Sequence, residues 1–87
     1  MCTYTTERAT VSGSGKGPAR WTRLDTATVY FDHPVHALAD HTLNIDLAPH
    51  EGAPGDRVAL ELTAEAALAL ADAIHVALDA VPADLKV

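Results

Sequence analysis

The sequence has few of the residues that cross-link a chain, span a membrane or bind nucleic acid. Its 87 residues include one cysteine, which excludes an intramolecular disulfide. Six Lys and Arg stand against twelve Asp and Glu, giving a formal net charge of −6. No basic stripe is available to replace the counterions of a phosphate backbone, and no apolar run reaches the roughly 18 residues that a membrane helix needs. We therefore expect no nucleic-acid partner and no membrane partner.

Length and composition predict one small globular domain spanning residues 1–87. Apolar residues make up 48% of the chain and charged residues 21%, which is ordinary for a folded domain. The first ten residues are polar and rich in threonine, unlike a secretion signal, and with the single cysteine they predict a cytoplasmic protein. A core this small barely offsets the entropy of ordering the chain. We therefore expect a homo-oligomer, dimeric or higher, or stabilisation by a bound ligand.

The pattern of apolar residues predicts strands followed by one helix. Strands are expected at residues 3–11, 26–33, 41–47 and 57–62, with a Gly/Ser-rich loop over 12–18. Thr63 then resembles a helix N-cap, and apolar residues at helical spacing predict a helix over about residues 64–80. The predicted fold is α+β: an antiparallel sheet of three or four strands, with one C-terminal helix packed on one face in a two-layer arrangement.

The two middle strands have one favoured register, because a slip of one residue would turn one apolar set to the wrong face. The apolar positions that this register aligns are Phe31 with Leu43 and Val29 with Ile45. The same register places His33 opposite His41, and directly opposed residues have Cβ atoms about 4.5–5.5 Å apart on one face. We therefore expect two neighbouring imidazoles at the end of this hairpin.

His36 lies in the connecting loop and completes the pattern His-x2-His-x4-His, which predicts a three-histidine metal site. Three imidazoles around an open position suit a divalent transition metal, namely Zn, Fe or Cu, and Cys2 could add a thiolate. The chain would then be a small metal-binding protein. An open coordination position could make it a metal-dependent enzyme acting on a small molecule. In that role Tyr30, Asp32 and Asp40 would orient ligands or shuttle protons.

The same part of the chain is compatible with two other functions. In the predicted register the polar sheet face carries Thr28, Tyr30, Asn44, Asp46 and Glu61. This face could bind a small molecule or a protein partner in a non-catalytic accessory module, in which the histidines are incidental. Alternatively, His33 or His41 could be the base of a cofactor-free acid/base isomerase or cyclase, whose activity would be pH-dependent and would survive chelation.

Three segments of the chain resemble a small family of uncharacterised short proteins from high-GC bacteria. They are the opening Met-Cys-Thr-Tyr-Thr-Thr-Glu at 1–7, the Ser-Gly-Ser-Gly-Lys-Gly segment at 12–17, and the stretch 30–46 with its Asp-His-Pro-Val-His and His-Thr-Leu-Asn-Ile-Asp runs. The resemblance spans nearly the whole chain. It implies no activity, because no function is established for that family.

Overall fold

Four antiparallel strands form a single sheet in the computed structural model, which describes residues 4–87. Within those residues the strands lie side by side in sequence order. Their bounds are Thr6–Lys16 for β1, Trp21–Asp32 for β2, Thr42–Ala48 for β3 and Val58–Leu62 for β4. Short 3₁₀ turns occur at Pro54–Asp56, before β4, and at Ala83–Leu85 near the C-terminus.

One helix, α1, spans Ala64–Asp79 and follows β4 directly. Thr63 is its N-cap, as predicted, since the side-chain oxygen of Thr63 accepts a hydrogen bond from the Ala66 N–H at 3.1 Å. The helix faces Val29 and Ile45 across the apolar side of the sheet. A four-stranded antiparallel sheet with one helix packed on it confirms the predicted α+β fold.

The predicted register of the central hairpin is confirmed. Phe31 pairs with Leu43 and Val29 pairs with Ile45 between β2 and β3. The same rows continue into β4, where Leu43 is paired with Leu62 and Ile45 with Leu60. Because side chains alternate across a strand, these pairs form continuous apolar rows on one face and leave the polar residues on the other.

The prediction of a loop over 12–18 was wrong for residues 12–16. β1 continues through the Gly/Ser-rich segment to Lys16, with a register shift between Thr10 and Gly13. The sheet curls so that Gly15 approaches β4, the opposite edge strand. A Cβ added to Gly15 would lie 3.1 Å from Val58 Cγ2 on β4 and 2.7 Å from Leu24 Cδ1 on the neighbouring strand β2. Glycine is present here because two strands meet closely, not because the chain turns.

The buried core of a single chain is thin. Within the described residues, the only buried apolar side chains are Leu24 and Ala27. Thr42 and Asn44 are also buried, and the Thr42 hydroxyl donates a hydrogen bond to Asn44 Oδ1 at 2.6 Å. Most of the apolar side chains of the described residues are therefore only partly covered.

No helix in residues 4–87 is long and apolar enough to cross a membrane.

We predict that Thr63→Ala lowers the free energy of unfolding by about 1 kcal/mol, because the Ala66 N–H loses its acceptor at the start of α1. Thr63→Ser keeps the hydroxyl and should stay close to the wild type. Urea denaturation followed by circular dichroism measures both variants. Equal unfolding midpoints for Thr63→Ala and the wild type would contradict a capping role.

Candidate metal centre

Two imidazole rings lie side by side at the open end of the β2–β3 hairpin. β2 ends at Asp32 and β3 begins at Thr42, so His33 and His41 flank the connecting loop. Their ring centroids are 4.4 Å apart, with an angle of 32° between the ring planes. Both rings extend the apolar rows of the two strands, as the register requires.

Asp40 completes a cluster of three potential metal ligands with the two histidines. His33, Asp40 and His41 each offer one ligand atom, and these three atoms lie within 4.8 Å of one another. The His33 Nδ1 atom is 3.0 Å from the backbone oxygen of Asp40. A carbonyl oxygen can only accept, so this contact favours a hydrogen on Nδ1 and leaves the lone pair of His33 on Nε2. Histidines that bind metals are commonly oriented through the second ring nitrogen in this way.

His41 is the best supported member of the cluster. Its ring stacks on Phe31, with centroids 5.8 Å apart and an interplanar angle of 10°. The His41 Nδ1 atom lies 3.4 Å from Asp40 Oδ2. The His41 side chain is 30% exposed, whereas the Asp40 side chain is 92% exposed. One imidazole is therefore held by packing, while the carboxylate faces solvent and can turn toward an ion.

The structure does not bring His36 to this pair. The loop crosses to the polar face of the sheet, where the Glu61 carboxylate accepts the backbone N–H groups of Val35 at 2.6 Å, His36 at 2.8 Å and Ala37 at 2.9 Å. The His36 Nδ1 atom is 3.9 Å from Glu61 Oε1. These hydrogen bonds fix His36 on the face opposite the His33–His41 pair, because Glu61 is paired with Asn44 rather than with an apolar position.

Two other predicted site residues, Asp32 and Tyr30, belong to the polar face. Asp32 is paired with Thr42, two residues along the strand from the Tyr30–Asn44 pair, and its Oδ1 accepts the backbone N–H of His33 at 2.7 Å. Tyr30 lies on the polar face and donates its hydroxyl hydrogen to Asp46 Oδ2 at 3.2 Å. Burial, followed by the nearby Asp46 carboxylate, raises the pKa of Tyr30 above its ordinary value. Cys2 lies outside the described residues.

The polar face also holds a cleft of about 450 Å³ that includes residues the sequence analysis did not single out. Arg57 is one of them, and its Nη1 atom lies 3.8 Å from Asp46 Oδ1. The side chains that give the cleft its polar character are Tyr30, His36, Asn44, Asp46, Arg57 and Glu61. Arg57 begins the segment predicted as the last strand, but no local signal in the sequence relates it to Asp46.

The fold and this cluster define a small α+β protein with a His–Asp–His group at one hairpin end. The chain belongs to DUF6295, a family of unknown function, whose model matches residues 1–87. The predicted resemblance to a family without an established function is thereby confirmed. Neither the curated proteins nor the solved structures gave a significant match.

We predict that the loop on the polar face is released at acid pH. Hydrogen bonding to Val35 N–H, supported by the next two N–H groups and by nearby His36, lowers the pKa of Glu61 below its ordinary value of 4.5. A carboxyl group whose pKa is lowered by folding stabilises the folded state above its unfolded pKa. That contribution is lost as the pH falls through the folded-state pKa. The amide NMR resonances of Val35, His36 and Ala37 should therefore move together below pH 4.5.

Glu61→Gln should shift the same three resonances already at neutral pH, since the ionised acceptor is gone. Glu51→Gln, in the exposed connection before β4, provides the matched control and should leave them unchanged. Three amide resonances that stay fixed in Glu61→Gln would contradict this account of the loop.

Proposed function

We propose that this chain binds one divalent transition-metal ion through His33, Asp40 and His41. The observation that supports the proposal is the convergence of three ligand atoms within 4.8 Å of one another. Zn–N and Zn–O bonds of about 2.0–2.2 Å need donor atoms roughly 3.5 Å apart in a tetrahedral site. Small rotations of the exposed Asp40 side chain would bring the carboxylate to that distance.

The donor set favours Zn²⁺ or Fe²⁺. Two imidazoles and one carboxylate are the protein ligands of many catalytic zinc sites, and the same set holds non-haem Fe²⁺ in oxygenases. Cu²⁺ also accepts imidazole ligands, so it is included in the test. In each case three protein ligands leave at least one coordination position open, because His36 is retained on the other face by Glu61.

An open position is the basis for a catalytic proposal. A metal ion held here would polarise the oxygen of a small-molecule substrate, or lower the pKa of a bound water to about 7. His33 and Asp40 are exposed, so a substrate could reach the ion without movement of the sheet. Tyr30 and Asp46 lie on the opposite face and could not act as general acid or base at this ion. Of the predicted proton-handling residues, Asp40 is itself a proposed ligand, and Asp32 accepts the backbone N–H of the neighbouring His33.

We predict about one bound Zn²⁺ or Fe²⁺ per chain in protein prepared without a histidine tag. Loss of a residue that only orients a metal ligand typically weakens metal binding by about 10- to 100-fold. His33→Ala and His41→Ala each remove a ligand itself, so each should weaken binding by more than that. Asp40→Asn should weaken it less than either, because the amide oxygen is still a donor. Isothermal titration with Zn²⁺ and elemental analysis after dialysis measure these affinities.

His36→Ala is the matched control, since it removes an imidazole from the same loop. It should leave metal affinity unchanged, because His36 is positioned against Glu61. No stoichiometric uptake of added Zn²⁺, Fe²⁺ or Cu²⁺ would refute the proposal. A loss of affinity in His36→Ala as large as that in His33→Ala would instead restore the three-histidine site predicted from the sequence.

The polar cleft supports a second candidate function, that of a small-molecule binding module. A volume of about 450 Å³ lies within the 300–1,000 Å³ typical of ligand pockets. Its floor carries hydrogen-bonding groups already oriented by one another, since Tyr30 donates to Asp46 and Asp46 lies near Arg57. Fixed donors and acceptors in a cleft can select a ligand by its polar groups.

For this second candidate, we predict that weakly binding small organic acids and amides shift the amide NMR resonances of Asn44 and Asp46. Arg57→Ala should reduce their affinity, while metal binding at His33 and His41 stays unchanged. Arg8→Ala, on the distant edge strand β1, serves as the control for loss of one positive charge. Ligands that shift only residues outside the cleft would argue against a binding role for this face.

A further inference from the structure

The composition of α1 indicates a helix covered on more than one side. Its sixteen residues include only four polar ones, which are Glu65, Asp72, His75 and Asp79. The three acids recur every seven residues, two helical turns apart, and so form one narrow stripe. Apart from His75, apolar residues occupy the rest of the circumference. A helix that is apolar on most sides is typical of an element packed between two layers.

A single chain leaves α1 largely uncovered. None of its sixteen residues is buried. Leu68 is 67% exposed and Ile74 52% exposed, although both face the sheet across an apolar groove of about 300 Å³. The main residues that line this apolar groove are Val29, Leu43, Ile45, Leu68, Leu70 and Ile74. On the far side of the helix, Val76 is 69% exposed.

The accessible surface of the chain is too large for a compact monomer. It measures 6693 Å², whereas a folded monomer of 9.1 kDa has about 4,900 Å². The Cα radius of gyration is 14.4 Å, against about 12 Å expected for this length. The excess of roughly 1,800 Å² per chain lies within the range of about 1,000–2,500 Å² that one subunit buries in obligate homodimers.

We propose that a second copy of this chain covers the apolar groove and α1, in a dimer with two-fold symmetry. The cover must be present whenever the chain is folded, because the described residues bury only Leu24 and Ala27 as apolar core. Another copy is the partner that is always available at the same concentration, and two-fold dimers are the commonest homo-oligomers.

Charge determines which side of α1 faces the partner. Near the axis of a two-fold interface each side chain approaches its own copy, so repulsion between like charges favours a position toward solvent for the stripe of Glu65, Asp72 and Asp79. The alanine-rich side of the helix, together with the groove, is then left for the partner. This inference does not depend on the proposed metal site, because the groove residues include none of its three ligands.

Sedimentation equilibrium of the full chain, with EDTA present, tests association separately from metal binding. The expected mass is twice the 9.1 kDa of the chain. The melting temperature should rise with protein concentration, since folding and association are coupled. A folded monomer at all concentrations would overturn the proposal. A chain that is unfolded alone would also overturn it and would indicate a different protein as the cover.

A pair of leucine variants tests the position of the interface. Leu68→Asp should raise the dimer dissociation constant by about 30-fold or more, the loss typical of an interface hot spot, or unfold the chain. Leu68→Asn removes the same apolar side chain without adding a charge near Glu65 and Asp72, and it should weaken the dimer in the same direction. Because Leu68 is 67% exposed in a single chain, the uncharged change should alter the stability of a monomer only slightly. Leu38→Asp, at a fully exposed position in the hairpin loop, should remain dimeric. An unchanged mass and an unchanged melting temperature in Leu68→Asp would overturn the proposed dimer.

Discussion

The pairing of β2 with β3 in one register is the constraint on which the two candidate sites depend. Phe31 lies opposite Leu43, and the apolar rows that begin there continue through β4. Since strand side chains alternate between faces, one register decides both sides of the sheet. It brings His33 beside His41 on the apolar side, and it brings Tyr30 within hydrogen-bonding distance of Asp46 on the polar side. Slippage by one residue would separate both pairs and expose the apolar rows.

The loop over residues 33–41 divides its polar groups between these two faces. One end carries Asp40 toward the histidines, while the middle is held by the Glu61 carboxylate through three backbone N–H groups. The Glu61 carboxylate on β4 accepts all three N–H groups at once, so the loop can place its polar groups on both faces without being buried or strained. Glu61 thus has a structural role that explains its low pKa, and its position explains why His36 is not a third imidazole ligand.

The central hairpin could be predicted because its information is local. Alternating apolar residues determine a register, and the register alone places His33 and His41 together. The position of His36 could not be predicted in the same way, since it depends on Glu61, which is 25 residues away and on another strand. The Gly/Ser segment was assigned to a loop for a similar reason: the close approach of Val58 to Gly15 follows from the curl of the whole sheet. Asp40 was recognised as a neighbour of the site, but its direct convergence with both rings depends on the path of the loop.

The proposed metal ion and the proposed second copy would contribute differently to the stability of this chain. An ion at His33, Asp40 and His41 would link two strand ends that the sheet already holds together, across a loop of only seven intervening residues. Closing so short a loop removes little entropy from the unfolded chain beyond what hairpin formation removes. The uncovered surface around α1 is far larger, and apolar burial is the dominant favourable contribution to folding. Association would therefore supply the stability that the thin core lacks, and the proposed ion would not be needed to hold the hairpin together.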